Sequence, residues 1–159
     1  MEIYQALIGV AVLLLVAAAA VAIEPSIAYS FTPALALQGT ELLSPADRIN
    51  LNDISVGDSS VTIRISGSIL YAIADTNSMD PTIDEDSTIV AVRPASQSDL
   101  HVGDIVLYRS GSSLIIHRII ETGVDASGWY CIPKGDNNSA ADGKVRFSQV
   151  EAVVVGILY

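Results

Sequence analysis

The hydrophobic positions of this chain fall into three regimes. Residues 3–23 (IYQALIGVAVLLLVAAAAVAI) are almost wholly apolar, and from Ala6 to Ile23 no side chain is charged or strongly polar. As a helix this stretch rises roughly 30 Å, about the thickness of a bilayer's hydrocarbon core. Glu24-Pro25 ends it, because a charge and a ring that cannot continue a helix meet there. The pattern predicts one N-terminal transmembrane helix over residues 1–23, serving as an anchor. A removed signal peptide is the competing reading, since Ala20-Val21-Ala22 has small residues where cleavage needs them. Against it, the positive n-region is missing and the apolar run exceeds a usual h-region. Either reading sets the rest of the chain outside the cytoplasm. Charge bias cannot confirm the orientation, because no Lys or Arg precedes Arg48.

Residues 24–47 carry three Pro and one Gly and have no period, which predicts a stalk or an irregular packed segment. From Arg48 onward the chain breaks into short β-branched and aromatic runs. Val61–Ile65 alternates apolar and polar, and Ile89–Val92, Ile105–Tyr108, Leu114–Ile120, Trp129–Ile132 and Val150–Leu158 are further strand candidates. Turn clusters rich in Gly, Ser, Asp and Asn separate them, at residues 57–60, 110–113, 125–128 and 136–138. Many short strands without a helical period predict an all-β domain over residues 48–159, an antiparallel β-barrel or sandwich.

Composition narrows the function classes. Half of the 159 residues are apolar and the mean hydropathy is +0.47, which the N-terminal run accounts for. Eight Lys and Arg against 18 Asp and Glu give a net charge of −10. That balance argues against nucleic acid as a partner, because phosphate binding needs a basic patch. A single Cys, Cys131, excludes an internal disulfide framework, and with only two His the chain predicts no metal site and no cofactor. Cys131 reads as a buried small hydrophobe.

Three places carry candidate chemistry. Asn77-Ser78-Met79-Asp80-Pro81-Thr82 follows the apolar stretch Ile69–Ala74, so Ser78 sits at a strand end before a Pro-pinned turn. His117 lies in Leu114-Ile115-Ile116-His117-Arg118-Ile119-Ile120, where His and Arg must point to opposite faces of a strand. Asp142 closes the polar stretch Lys134–Asp142. A hydroxyl, an imidazole base and a carboxylate to orient it are the parts of nucleophilic catalysis. Each residue also has a plainer reading: a turn-forming Ser, a core His and a loop Asp.

The same blocks resemble a known family. Residues 71–159 look like a type I signal peptidase of the archaeal and endoplasmic-reticulum kind, in which Ser works with His. Residues 77–82 resemble its S-M-x-P block, Val102–Tyr108 its G-D-I-V block, Ile116–Ile120 its H-R-V-I block, and Lys134–Asn138 with Asp142 its K-G-D-N-N…D block. The resemblance implies a membrane-bound serine endopeptidase that cuts secretory preproteins after small-x-small residues on the extracytoplasmic side. It implies Ser78 as nucleophile, His117 as general base and Asp142 as the supporting acid, with Asp136 as second choice. The oxyanion donors implied are the Ser78 backbone N–H and Thr76, which stands where the family often has Ser. Met79, Ile73 and Ile116 are the expected lining of shallow substrate pockets, with plain core packing an equal alternative for Met79. Secretory preproteins, membrane lipid around the anchor and other membrane subunits are the partners to expect. Three features depart from the pattern: Asn77 precedes the Ser, Asp84-Glu85-Asp86-Ser87 replaces a Gly-Asp pair, and a long segment, residues 24–70, separates the anchor from Tyr71.

Two other classes fit parts of the sequence. A membrane-tethered β-domain that binds or assembles without chemistry fits the unusual 24–70 region. A self-cleaving peptidase that pairs Ser with Lys would use Lys134 or Lys144 in place of His117.

Overall fold

A computed structural model describes residues 41–159; the expected anchor at 1–23 and most of the segment 24–47 lie outside the described residues. Among the described residues no helix is long and apolar enough to cross a membrane. Of these residues 45% lie in strands and 8% in helix, the latter all short 3-10 turns, so the fold is all-β.

The strands are β1 (Ile54–Val56), β2 (Val61–Ile63), β3 (Ser68–Ala72), β4 (Thr88–Val92), β5 (Ile105–Ser110), β6 (Ser113–Asp125), β7 (Gly128–Lys134), β8 (Val145–Arg146) and β9 (Val150–Leu158). Seven of them form one antiparallel sheet in the order β3-β4-β9-β5-β6-β7-β8. β1 and β2 form a separate hairpin, with Ile54 opposite Ile63 and Val56 opposite Val61. Every residue of β2 is exposed. The alternation at Val61–Ile65 therefore marks cross-strand pairs on a ribbon rather than a face turned to the core.

The sheet is covered on both faces at its centre. Side chains alternate across a strand, so Ile105, Leu107, Ala152 and Val154 enter one core while Val106, Tyr108 and Val153 enter another. This explains why β5 and β9 read as continuous apolar runs: a strand buried on both faces loses its period-2 signature. The first core is capped by Met79 and Ile83, from the loop after β3. The second gathers Leu100, Ile119, Cys131 and Val145, with Trp129 and Phe147 meeting edge to face at its margin.

A register shift in the β6–β7 pairing falls between Ile119 and Glu121, beside Pro133. Proline has no N–H for the ladder, and an interior strand accommodates it at a bulge. Cys131 is fully buried, as expected, and burial pushes its thiol up to about 11.

Residues 41–47 are irregular and belong to the same compact unit as the strands, so this part of the segment packs on the domain. Gly103 explains the contact. It has φ +101, and a Cβ there would sit 2.2 Å from the Ser44 carbonyl oxygen. The neighbouring Asp104 is fully buried and accepts hydrogen bonds from the backbone N–H of Ala46 (2.9 Å) and His101 (2.8 Å) and from Arg48 Nη2 (2.5 Å). The Gly-Asp pair of this block thus clamps residues 41–48 as a strap.

Gly103→Ala should lose the strap contact and strain the backbone together. Left-handed strain alone costs about 1–3 kcal/mol. The expected result is a lower urea midpoint, with faster proteolysis between residues 41 and 48; an unchanged midpoint and cleavage pattern would show that the close approach is not needed.

Candidate active site

Ser78 is held from both sides. Behind it, Met79 is buried at 2% exposure in the first core, and its carbonyl accepts the N–H groups of Thr82 (2.8 Å) and Ile83 (3.0 Å). In front, the turn after β7 grips the backbone: Asn137 N–H donates to the Ser78 carbonyl (3.0 Å) and Asn137 Nδ2 to the Asn77 carbonyl (2.9 Å). Gly135 permits this, since a Cβ there would lie 2.4 Å from the Ser78 oxygen. Asn77 has φ 53, in the left-handed region that Asn tolerates better than most side chains. That conformation gives a physical reason for an Asn directly before Ser78.

His117 comes from β6, opposite Val106 of β5, and therefore shares a sheet face with Val106 and Tyr108. Its Nε2 lies 3.2 Å from Ser78 Oγ, and its Nδ1 lies 2.5 Å from Asp142 Oδ2. An ionised carboxylate can only accept at that contact, so Nδ1 carries a proton, and in the neutral imidazole Nε2 then presents its lone pair to the Ser78 hydroxyl. Asp142 is placed by its own N–H, which donates to the Pro133 carbonyl (2.8 Å). Thr76 Oγ1 lies 3.2 Å from Ser78 Oγ. Three residues spread over the sequence thus form one hydrogen-bonded chain, hydroxyl to imidazole to carboxylate, able to move a proton off Ser78.

Asp136 is elsewhere. Arg118, on the opposite face of β6 from His117, grips it with Nε (2.8 Å) and Nη2 (2.7 Å), while the Thr82 hydroxyl donates at 3.0 Å. Burial raises the Asp136 carboxyl, but the guanidinium and the hydroxyl outweigh it, and the pKa lies below the usual carboxylate value. Asp136 is therefore a structural ion-pair partner and not the group against the imidazole. The lysines are also occupied. Lys144 pairs with Asp125 at 2.7 Å and lies over the Tyr130 ring, and Lys134 donates to the Gly135 carbonyl at 3.4 Å.

A groove of about 430 Å³ opens beside Ser78 and His117, walled by Tyr71, Ile73, Leu107, Leu114 and Ile116, with Thr76 and Asn138 at the polar end. Of the three expected lining residues, Ile73 and Ile116 border this groove and Met79 does not: it is buried in the first core with Ile83, Ile89 and Leu107, the other of its two readings. Reasoning from sequence gave no role to Tyr108, whose hydroxyl donates to Asp142 Oδ2 at 2.7 Å. The signal was present, since a Tyr two positions along from the strand partner of a His shares its face. On the surface, Asp75, Asp84 and Glu85 bring carboxylate oxygens within 4.8 Å of one another, all exposed.

Comparisons with models of protein families, with curated proteins and with solved structures find no match to this chain.

The Arg118–Asp136 pair makes a testable statement about stability. A carboxyl whose pKa is depressed by folding stabilises above its unfolded value of about 3.9 and loses that contribution as pH falls through the folded value. In Asp136→Asn a buried guanidinium loses its counter-charge, at a cost of about 3 kcal/mol near neutral pH. Urea midpoints measured from pH 7 downward should therefore converge with wild type below about pH 4. Parallel curves would mean that Asp136 carries no such linkage.

Proposed function

We propose that this chain is a membrane-anchored serine endopeptidase that removes signal peptides from secretory preproteins, cutting after small-x-small residues on the extracytoplasmic side. One observation carries the reading: the chain from Ser78 Oγ through His117 to Asp142, at 3.2 and 2.5 Å, set at the mouth of an apolar groove. The order of the four sequence blocks supports the same class, with the all-β domain taken as signal-peptidase-like and residues 1–23 as its transmembrane helix. Preproteins and membrane lipid are its partners, with other membrane subunits as further candidates.

In this reading the groove takes an extended peptide with small side chains against Ile73 and Ile116. Ser78 Oγ bonds to the scissile carbonyl carbon as its proton passes to His117 Nε2. Asp142, accepting from Nδ1–H, stabilises the imidazolium. The oxyanion takes hydrogen bonds from the Ser78 backbone N–H and the Thr76 hydroxyl. The C–N bond then breaks as His117 returns the proton to the leaving amine. A water attacks the acyl ester, gives its proton to His117, and Ser78 leaves with that proton restored. Oriented donors at a developing oxyanion are worth about 10²–10³-fold each.

The test is cleavage of a secretory preprotein by the detergent-solubilised full-length protein, with the new N-terminus sequenced. Wild type should cut after a small-x-small site, and Ser78→Ala and His117→Ala should be silent. Asp142→Asn should lose about 10⁴ in turnover, as when a triad Asp is replaced. The rate should fall on the acidic side, because an imidazolium cannot accept the Ser78 proton. A Ser78→Ala protein as active as wild type, or a wild type inert toward every preprotein offered, would overturn the proposal.

A further inference from the structure

Tyr108 stands in the second core, yet its hydroxyl reaches the polar chain. Its side chain is buried at 2% exposure among Val106, Ile119 and Val153. It lies on β5, one strand from His117, with ring centroids 6.4 Å apart. The hydroxyl donates to Asp142 Oδ2 at 2.7 Å, the same oxygen that meets His117 Nδ1 at 2.5 Å. Burial first, then the bond to Asp142, push the phenol's pKa well above its ordinary value, so the hydroxyl keeps its proton and stays a donor.

Asp142 needs such a partner. Its side chain is 27% exposed, against 8% for His117, and it sits on a loop rather than a strand. It borders a cavity of about 200 Å³ whose lining also includes Tyr108, Ser110, Ile115, Lys144 and Gln149. A carboxylate bordering open space can rotate away from the imidazole, and one hydrogen bond does not stop it. A second donor on the same oxygen, fixed to a buried strand, removes that freedom.

We propose that Tyr108 is a positioning residue, pinning Asp142 Oδ2 against His117 Nδ1 so that the imidazole keeps the tautomer and orientation that Ser78 requires. This rests on the peptidase reading only for its kinetic consequence; the geometric claim stands by itself.

Two readouts on the full-length protein in detergent separate the two claims. The first is the proton spectrum. A Nδ1–H held on a carboxylate gives a far-downfield resonance, assigned to His117 by its survival in His101→Gln. Tyr108→Phe should broaden that line or move it upfield, while the thermal midpoint confirms a folded protein. The second is kinetic: Tyr108→Phe should lower kcat roughly tenfold with KM within about twofold. Adding Tyr108→Phe to Asp142→Asn should cost nothing further, because the pin then has nothing to hold. A wild-type spectrum without the line, a Tyr108→Phe line identical to wild type, or a full additional loss in the double variant would each overturn the proposal. Absence of preprotein cleavage with the spectral change intact would sink the peptidase reading and leave Tyr108's placement of Asp142 standing.

Discussion

The guanidinium of Arg118 is the point where the separate pieces of this domain are tied. Its Nε and Nη2 hold Asp136, and its Nη1 donates to the carbonyls of Leu43 (3.1 Å) and Gly103 (3.0 Å). One planar fork thus joins strand β6, the strap before Arg48, the turn before β5 and the turn after β7. A buried cation is costly unless its donors are met, and a lysine could not meet four acceptors in one plane. Asp136 then passes the constraint on, since Thr82 belongs to the loop that carries Ser78. Position and charge reach the Ser78 loop through two side chains.

Alternation along β6 links that scaffold to the polar chain. Arg118 and His117 are neighbours in sequence and point to opposite faces, and both are buried at 6% exposure. Once Arg118 is fixed, the backbone of His117 has one orientation left. The two faces then divide the work. Arg118 organises the loops that hold Ser78, and His117 meets Ser78 from the other side with Tyr108 and Asp142 around it. The bulge between Ile119 and Glu121 lies just beyond this pair, where the ladder to β7 is re-registered around Pro133. Local irregularity of this kind re-aims side chains without loosening the sheet.

How much of this was legible in the sequence follows from the kind of contact involved. β5 and β9 could be read because strands buried on both faces leave dense β-branched runs. Ser78, His117 and Asp142 could be singled out by chemical type, but nothing in spacing brings residues 39 and 25 positions apart to one point. The choice between Asp136 and Asp142 was open because both are in loops, where no period says which way a carboxylate turns. The strap at 41–47 was legible only as an irregular segment, free or packed: its contacts run through the carbonyls of Leu43 and Ser44 and the N–H of Ala46, and backbone contacts leave no side-chain pattern. Met79 was ambiguous for a simpler reason. An apolar residue beside a reactive hydroxyl suits a groove wall and a core anchor equally until burial is known.

The two aspartates illustrate why environment, rather than residue type, assigns their roles. Asp136 has a side chain only 1% exposed and is saturated by a guanidinium and a hydroxyl. Its charge is balanced at rest, so it has little to gain from a second cation. Asp142 faces no cation at its own contact; its partners are a neutral phenol and an imidazole. A carboxylate in that setting gains most when the imidazole becomes charged, and that gain falls on the charged state rather than the resting one. Stabilisation confined to the charged state accelerates a proton transfer, whereas a pair already charge-balanced at rest only stabilises the fold. The fold therefore places its compensated carboxylate under the loops and its uncompensated one behind the imidazole.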